Sequence, residues 1–316
     1  MTAAGYAAAP YLAAPPEAPA EGHAVWLTAA DGVRVRAAIW PQGNRGTVLI
    51  LPGRTEHAEK YVRAAAAFAA AGLASIAIDW RGQGLADRAL PDRLRGHVGD
   101  FAEYQRDLGA MIAAADAAGL PGPRYLLAHS MGGAIGLRAL MSGLPVRAAA
   151  FSAPMWGIQM PGGMTGLFRF VARVAVTLGR GDRYLPPPAT GPVCYAATAA
   201  FEGNVLTSDP DGFAWMQAQL RETPDLQLGG PTFGWLAAAL AECAALARLP
   251  SPTVPCLTTL GTRERVVDQQ AIRERMARWP GGVLEPVPGA EHEVLMEGAA
   301  TREAFMARVI GHFAVD

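Results

Sequence analysis

The stretch RYLLAHSMGGAIG, residues 124–136, sets one serine between an apolar run and a pair of glycines. RYLLA reads as a buried strand and AIGLRALMSG, which follows the glycines, as a helix, so Ser130 falls at a strand-to-helix corner. A tight turn there strains the serine's backbone and lifts its hydroxyl above the sheet, beside the positive end of the next helix. Gly132 and Gly133 let strand and helix pass closely, whereas Ala128 stands where the pattern G-x-S-x-G asks for its first glycine. The plainer reading is a serine N-cap with packing glycines. Its surroundings decide between the two.

Upstream, VRVRAAIW and TVLILPG read as strands, the second an almost continuous apolar run of the kind buried on both faces. KYVRAAAAFAAAG reads as a helix closed by Gly72, LASIAIDW as a strand, and RGQGLADR as a glycine-rich loop. Asp100 with Glu103 forms a capping box for the helix DFAEYQRDLGAMIAAADAAG. Downstream, VRAAAFSAP is a strand. GWLAAALAECAALARL (helix), TVPCLTTLG (strand), DQQAIRERMARW (helix), GVLEPVPG (strand) and ATREAFMARVIGHF (helix) follow an interruption rich in Gly, Pro and Met. Strands alternating with helices imply a mostly parallel, doubly covered α/β sheet whose ligands gather at the strands' carboxyl ends. The expected division is an Ala/Pro-rich flexible tail at 1–22, a core at 23–154 and 232–316, and a cap or lid subdomain inserted at 155–231.

With 316 residues, 51% hydrophobic and 17% charged, the chain is globular rather than disordered. Its 27 basic and 28 acidic side chains give no reason to expect a nucleic-acid partner. Cys194, Cys243 and Cys256 are widely spaced and read as reduced, buried thiols. Neither a cationic leader nor a spanning apolar run is evident, so the expectation is a cytoplasmic protein, in contact with a membrane surface at most.

A serine hydroxyl becomes a competent nucleophile when a base takes its proton and an anion orients the base. In this architecture the chain order is serine, acid, histidine, each on a loop after a strand. Of six histidines only His292 and His312 come late enough; His312 lies within the last helical pattern, and His292 follows the final strand. The loop TRERVVD offers Glu264 and Asp268. Asp268 directly precedes a helix and has a capping role open to it, so Glu264 is preferred. The oxyanion donors expected are the backbone amides of Met131 and Arg54, the latter in PGRTEH. Asp79, in IDWRGQG, reads as a loop-bracing carboxylate.

In order, PGRTEHAEKY, IDWRGQGLADR, GHVGDFAEYQRDL, AHSMGG, SAPMWGI, GGPTFGW and LGTRERVVD resemble the bacterial lysophospholipases of the monoacylglycerol-lipase-like branch of the α/β-hydrolases. The likeness runs through nearly everything after residue 22. It implies the α/β-hydrolase fold, a cap over the site, and cleavage of carboxylic esters of single-chain lipids with no cofactor and no metal. It places the nucleophile on Ser130, the acid on Glu264, the base on His292 and the oxyanion amides on Arg54 and Met131. Two departures stand out: many relatives have His-Gly where this chain has Pro52-Gly53, and the monoglyceride lipases have aspartate at Glu264.

The cap segment TGLFRFVARVAVTLGR sets Leu167, Phe170, Val171, Val174 and Leu178 on one helical face, with Arg169, Arg173 and Arg180 largely away from it. Three uses are open: covering an acyl chain, docking on a membrane surface, or packing onto the sheet domain. Rival activities on the same frame are a small-ester carboxylesterase and an acyltransferase; a silent ligand-binding protein is the rival of another class.

Overall fold

The structure, a computed structural model, describes residues 5–12, 18–187, 189 and 191–314. Its strands are β1 (Ala8–Ala9), β2 (His23–Thr28), β3 (Arg34–Trp40), β4 (Thr47–Leu51), β5 (Ala74–Asp79), β6 (Arg124–His129), β7 (Ala148–Ser152), β8 (Cys256–Gly261) and β9 (Val283–Val287). They form one sheet in the order β1-β2-β3-β5-β4-β6-β7-β8-β9. From β5 to β9 every neighbouring pair is parallel; β1, β2 and β3 add on antiparallel.

The apolar runs become central strands because both of their faces are covered. In β4, Val48 and Ile50 face one side, packed with α1 (Val62–Ala70) and the last helix. Leu49 and Leu51 face the other, against α2 (Ala102–Ala117) and α3 (Met131–Met141). The segment after β7 carries α4 (Thr165–Thr177), α5 (Tyr195–Thr198) and α6 (Pro210–Glu222) and, among the described residues, adds no strand to the sheet. The alternation resumes with α7 (Phe233–Arg248), α8 (Gln269–Ala277) and α9 (Ala299–Phe313). The capping box is present: the Asp100 amide donates to Glu103 Oε1 at 3.0 Å and the Ala102 amide to Asp100 Oδ1 at 2.9 Å. β9 takes the outer position, where Pro286, lacking a donor, is tolerated.

Three features go beyond what the sequence was read to say. HAVWLT is a strand, hairpinned to β3 with Val25 opposite Ala37. Its alternation is weak because Ala24 and Ala38 make a small-residue pair, which periodicity alone does not mark. Within the segment expected to be a free tail, Ala8–Ala9 pair with β2, Trp40 Nε1 donates to the Tyr11 hydroxyl at 2.8 Å, and Arg36 donates to the Pro10 carbonyl at 2.7 Å. Lastly, the five apolar residues expected on one face of α4 are not packed on the sheet domain: Leu167 is 55% exposed, Phe170 66% and Leu178 69%. Ala172 and the half-buried Phe168, on another side of α4, make the contact with the core.

Candidate active site

β6 delivers Ser130 at its carboxyl end with φ 49° and ψ −118°, a left-handed conformation that L-residues avoid. The two glycines after it follow from the crossing of strand and helix. A Cβ at Gly132 would lie 2.1 Å from the Leu51 carbonyl oxygen, and one at Gly133 2.4 Å from Pro154 Cβ. Ala128 fits where the pattern calls for glycine because Gly136 faces it: a Cβ there would already lie 3.4 Å from Ala128 Cβ.

The loop after β9 brings His292 to the serine, with Nε2 2.9 Å from Ser130 Oγ. On its other side Nδ1 lies 2.7 Å from Glu264 Oε2. All three side chains are buried. Glu264 Oε1 accepts the amides of Val266 at 2.5 Å and Val267 at 3.0 Å, which fixes the carboxylate on the loop after β8. Burial acts to raise its carboxyl, but the hydrogen bond and charge of His292, with those two amides, outweigh it and leave it below the ordinary range. Asp268 is occupied elsewhere, accepting the Gln270 and Ala271 amides at the start of α8. His312 stays in α9 against Phe313.

The loop after β4 abuts Ser130: a Cβ on Gly53 would lie 3.1 Å from Ser130 Cβ. Its carbonyls are tied down, Pro52 by Trp80 Nε1 at 2.9 Å and Gly53 by Gln83 Nε2 at 2.7 Å. Neither the Arg54 nor the Met131 amide has a protein acceptor among the described residues. Asp79 braces this region, accepting from Arg36 Nε, the Ala58 amide and the Leu85 amide, each at 2.8 Å.

A buried ionic group beside the triad was not legible in the sequence. Glu56 accepts from the Gly53 amide, from the Tyr61 hydroxyl at 2.6 Å and from Lys60 Nζ at 2.6 Å, and Lys60 also bonds Glu293, the residue after His292. Glu56, His129 and Glu293 bring possible metal-ligand atoms within 4.8 Å of one another, but the Lys60 ammonium bridges the two carboxylates and supplies the positive charge there. His129, set aside by chain order, packs its ring 4.8 Å from that of His292, and its Nδ1 lies 3.0 Å from the Ser152 carbonyl oxygen. Burial pushes His129 down to about 4, so the ring beside the triad is neutral.

The Hydrolase_4 family model, described as serine aminopeptidase, S33, matches residues 42–299. Lysophospholipase L2 of Escherichia coli (strain K12) is 32% identical over 301 residues, 91% of this chain and 86% of that protein. The probable lysophospholipase L2 of Haemophilus influenzae is 29% identical over 271 residues, 85% of this chain and 83% of that protein. Among solved structures, a soluble variant of monoglyceride lipase from Saccharomyces cerevisiae, in complex with a substrate analog, has a TM-score of 0.71 at 18% identity, covering 91% of this chain and 94% of that one. At that identity the likeness concerns the fold.

Proposed function

The chain belongs to the Hydrolase_4 family, in its lysophospholipase and monoacylglycerol-lipase-like branch, and we propose that it cleaves carboxylic esters of single-chain lipids through an acyl enzyme on Ser130. The observation that carries the assignment of roles is the buried row Ser130–His292–Glu264, joined at 2.9 Å and 2.7 Å. In the first half-reaction Ser130 Oγ attacks the ester carbonyl while its proton passes to His292 Nε2, and the Glu264 carboxylate stabilises the imidazolium. The Arg54 and Met131 amides donate hydrogen bonds to the oxyanion. Collapse of the tetrahedral adduct breaks the ester C–O bond, and His292 returns the proton to the leaving glycerol oxygen. Water then repeats the sequence, releasing fatty acid and restoring the serine. No step calls on a metal.

Residues 155–231 act in this reading as the cap over the site, and α4 is the part that meets lipid. Its apolar residues face outward, with Arg173 and Arg180 exposed beside them, a composition suited to an anionic membrane surface. No helix among the described residues is long and apolar enough to cross a membrane, so contact through α4 is peripheral.

The test is Ser130→Ala: cleavage of a lysophospholipid and of monoacylglycerol should fall by more than about a thousandfold, and labelling by a fluorophosphonate should vanish. Labelling at another residue, or undiminished turnover, would remove Ser130 from the mechanism.

A further inference from the structure

Between the loop after β4 and the cap lies a cavity enclosing about 550 Å³ of free space, part of it open to solvent. Arg54, Thr55 and His57 form one wall; Leu206, Met216 and Leu220 are among the cap residues opposite. The wall begins one residue after Gly53, whose backbone touches Ser130.

Several of its polar atoms have no protein partner among the described residues. The Arg54 guanidinium donates to the Gly229 carbonyl at 2.7 Å and more weakly to the Thr55 hydroxyl at 3.3 Å, while its Nε is buried with no acceptor. Burial pushes it down to about 10, and the groups acting to raise it are Tyr104, Cys194 and Tyr184, none of them a carboxylate. By contrast Arg36 and Arg81, both buried, are each met by two or more carboxylates. His57 is 2% exposed, and neither ring nitrogen has a partner. Gln219 Oε1, on the cap side, is buried and unpartnered too. A guanidinium with a buried, unpaired Nε and no carboxylate partner among the described residues thus stands in the loop beside Ser130. Glu56 and Glu293 in the same cavity are bound by Lys60.

Building on the reading of Ser130 as the nucleophile, we propose that this cavity receives the phosphodiester of a lysophospholipid, with the Arg54 guanidinium as its anion-binding group and the His57 ring as an accessory partner. Guanidinium forks suit phosphate oxygens, and the charge has no competing acid to leave. Reach agrees. Phosphorus stands roughly five bonds from the scissile ester oxygen, on the order of 6 Å, and the guanidinium carbon stands roughly five bonds from its own Cα. One residue thus serves the substrate twice: its main chain at the carbonyl oxygen, its side chain at the head group. The guanidinium thereby favours lysophospholipid over monoacylglycerol of the same acyl chain.

The experiment compares kcat/KM for 1-palmitoyl-lysophosphatidylethanolamine and 1-palmitoylglycerol in wild type, Arg54→Met and Arg54→Lys, read as the ratio of the two substrates within each protein so that losses in the common chemistry cancel. The methionine variant should lower the ratio tenfold to a hundredfold, as expected for a charge-assisted hydrogen bond, with lysine intermediate. A ratio within about twofold of wild type, or a wild type that cleaves only monoacylglycerol, would overturn the proposal. A calorimetric arm titrates glycerophosphoethanolamine against glycerol, needs no turnover, and so separates this idea from the hydrolase reading. Wild type should prefer the phosphodiester and Arg54→Met should lose that preference; equal binding of the two compounds refutes the head-group site, whereas absence of all ester cleavage refutes the hydrolase.

Discussion

The Lys60 ammonium is bound to Glu293, the immediate neighbour of His292, and its other carboxylate partner, Glu56 at 2.6 Å, holds the Gly53 amide. One cation therefore ties the loop that carries Gly53 and the proposed oxyanion donor Arg54 to the loop that carries His292.

Lys60→Met should unhook both loops and leave two buried carboxylates facing each other. Breaking a buried pair from one side costs about 3–5 kcal/mol. Urea unfolding should report a loss of that size, and kcat should fall further than KM rises, because the donors shift relative to a substrate that still binds.

Glu264→Gln keeps a side chain able to accept from the backbone but removes the charge that stabilises a protonated His292. Turnover should drop by about a hundredfold to ten-thousandfold with little change in KM. Asp268→Ala should leave turnover near wild type and cost about 1 kcal/mol of stability, the value of an N-cap. The reverse pattern would make Asp268 the orienting acid.

Stability should fall in mild acid. Burial holds His57, among Asp79, Arg36, Lys60 and Glu56, and His129, among Glu56, His292 and Lys60, each at about 4. An unfolded histidine titrates at about 6.5. The unfolded chain thus binds these protons first, so their contribution is complete above about pH 6.5 and is lost as pH falls toward about 4, on the order of a few kcal/mol together. Urea unfolding at about pH 7.5 and about pH 5 should show it, and His57→Phe should flatten the slope.

Phe170→Ser combined with Leu178→Ser should weaken co-sedimentation with anionic vesicles and reduce cleavage of vesicle-borne substrate more than cleavage of a short water-soluble ester. Equal effects on both substrates would assign α4 another role.

The parts of this molecule that could be read from its letters are those written locally. VLIL and YLLA are unbroken apolar runs because both faces of their strands are covered, the capping box joins residues three positions apart, and the order of Ser130, Glu264 and His292 follows the order of strand ends. What escaped is non-local. Lys60 and Glu293 meet across 233 positions, and nothing in either neighbourhood announces the other. The periodicity of α4 showed that an apolar face exists, but not that the core would be met by Ala172 and Phe168 instead. The Arg54 side chain reads on paper as an ordinary solvated arginine, and its neglected nitrogen emerges only when Gly229 and Trp235 close around it.

The pairing of Ala8–Ala9 with β2, and the acceptance by Pro10 of a bond from Arg36, have a practical bearing on how this protein is handled. That arginine also gathers Asp79 and Glu59, and the Leu12 amide reaches Glu59 at 3.2 Å, so residues 8–12 join the scaffold beneath the loop after β4. Expression plasmids trimmed of residues 8–12 to aid crystal growth would strip these contacts from the folded body.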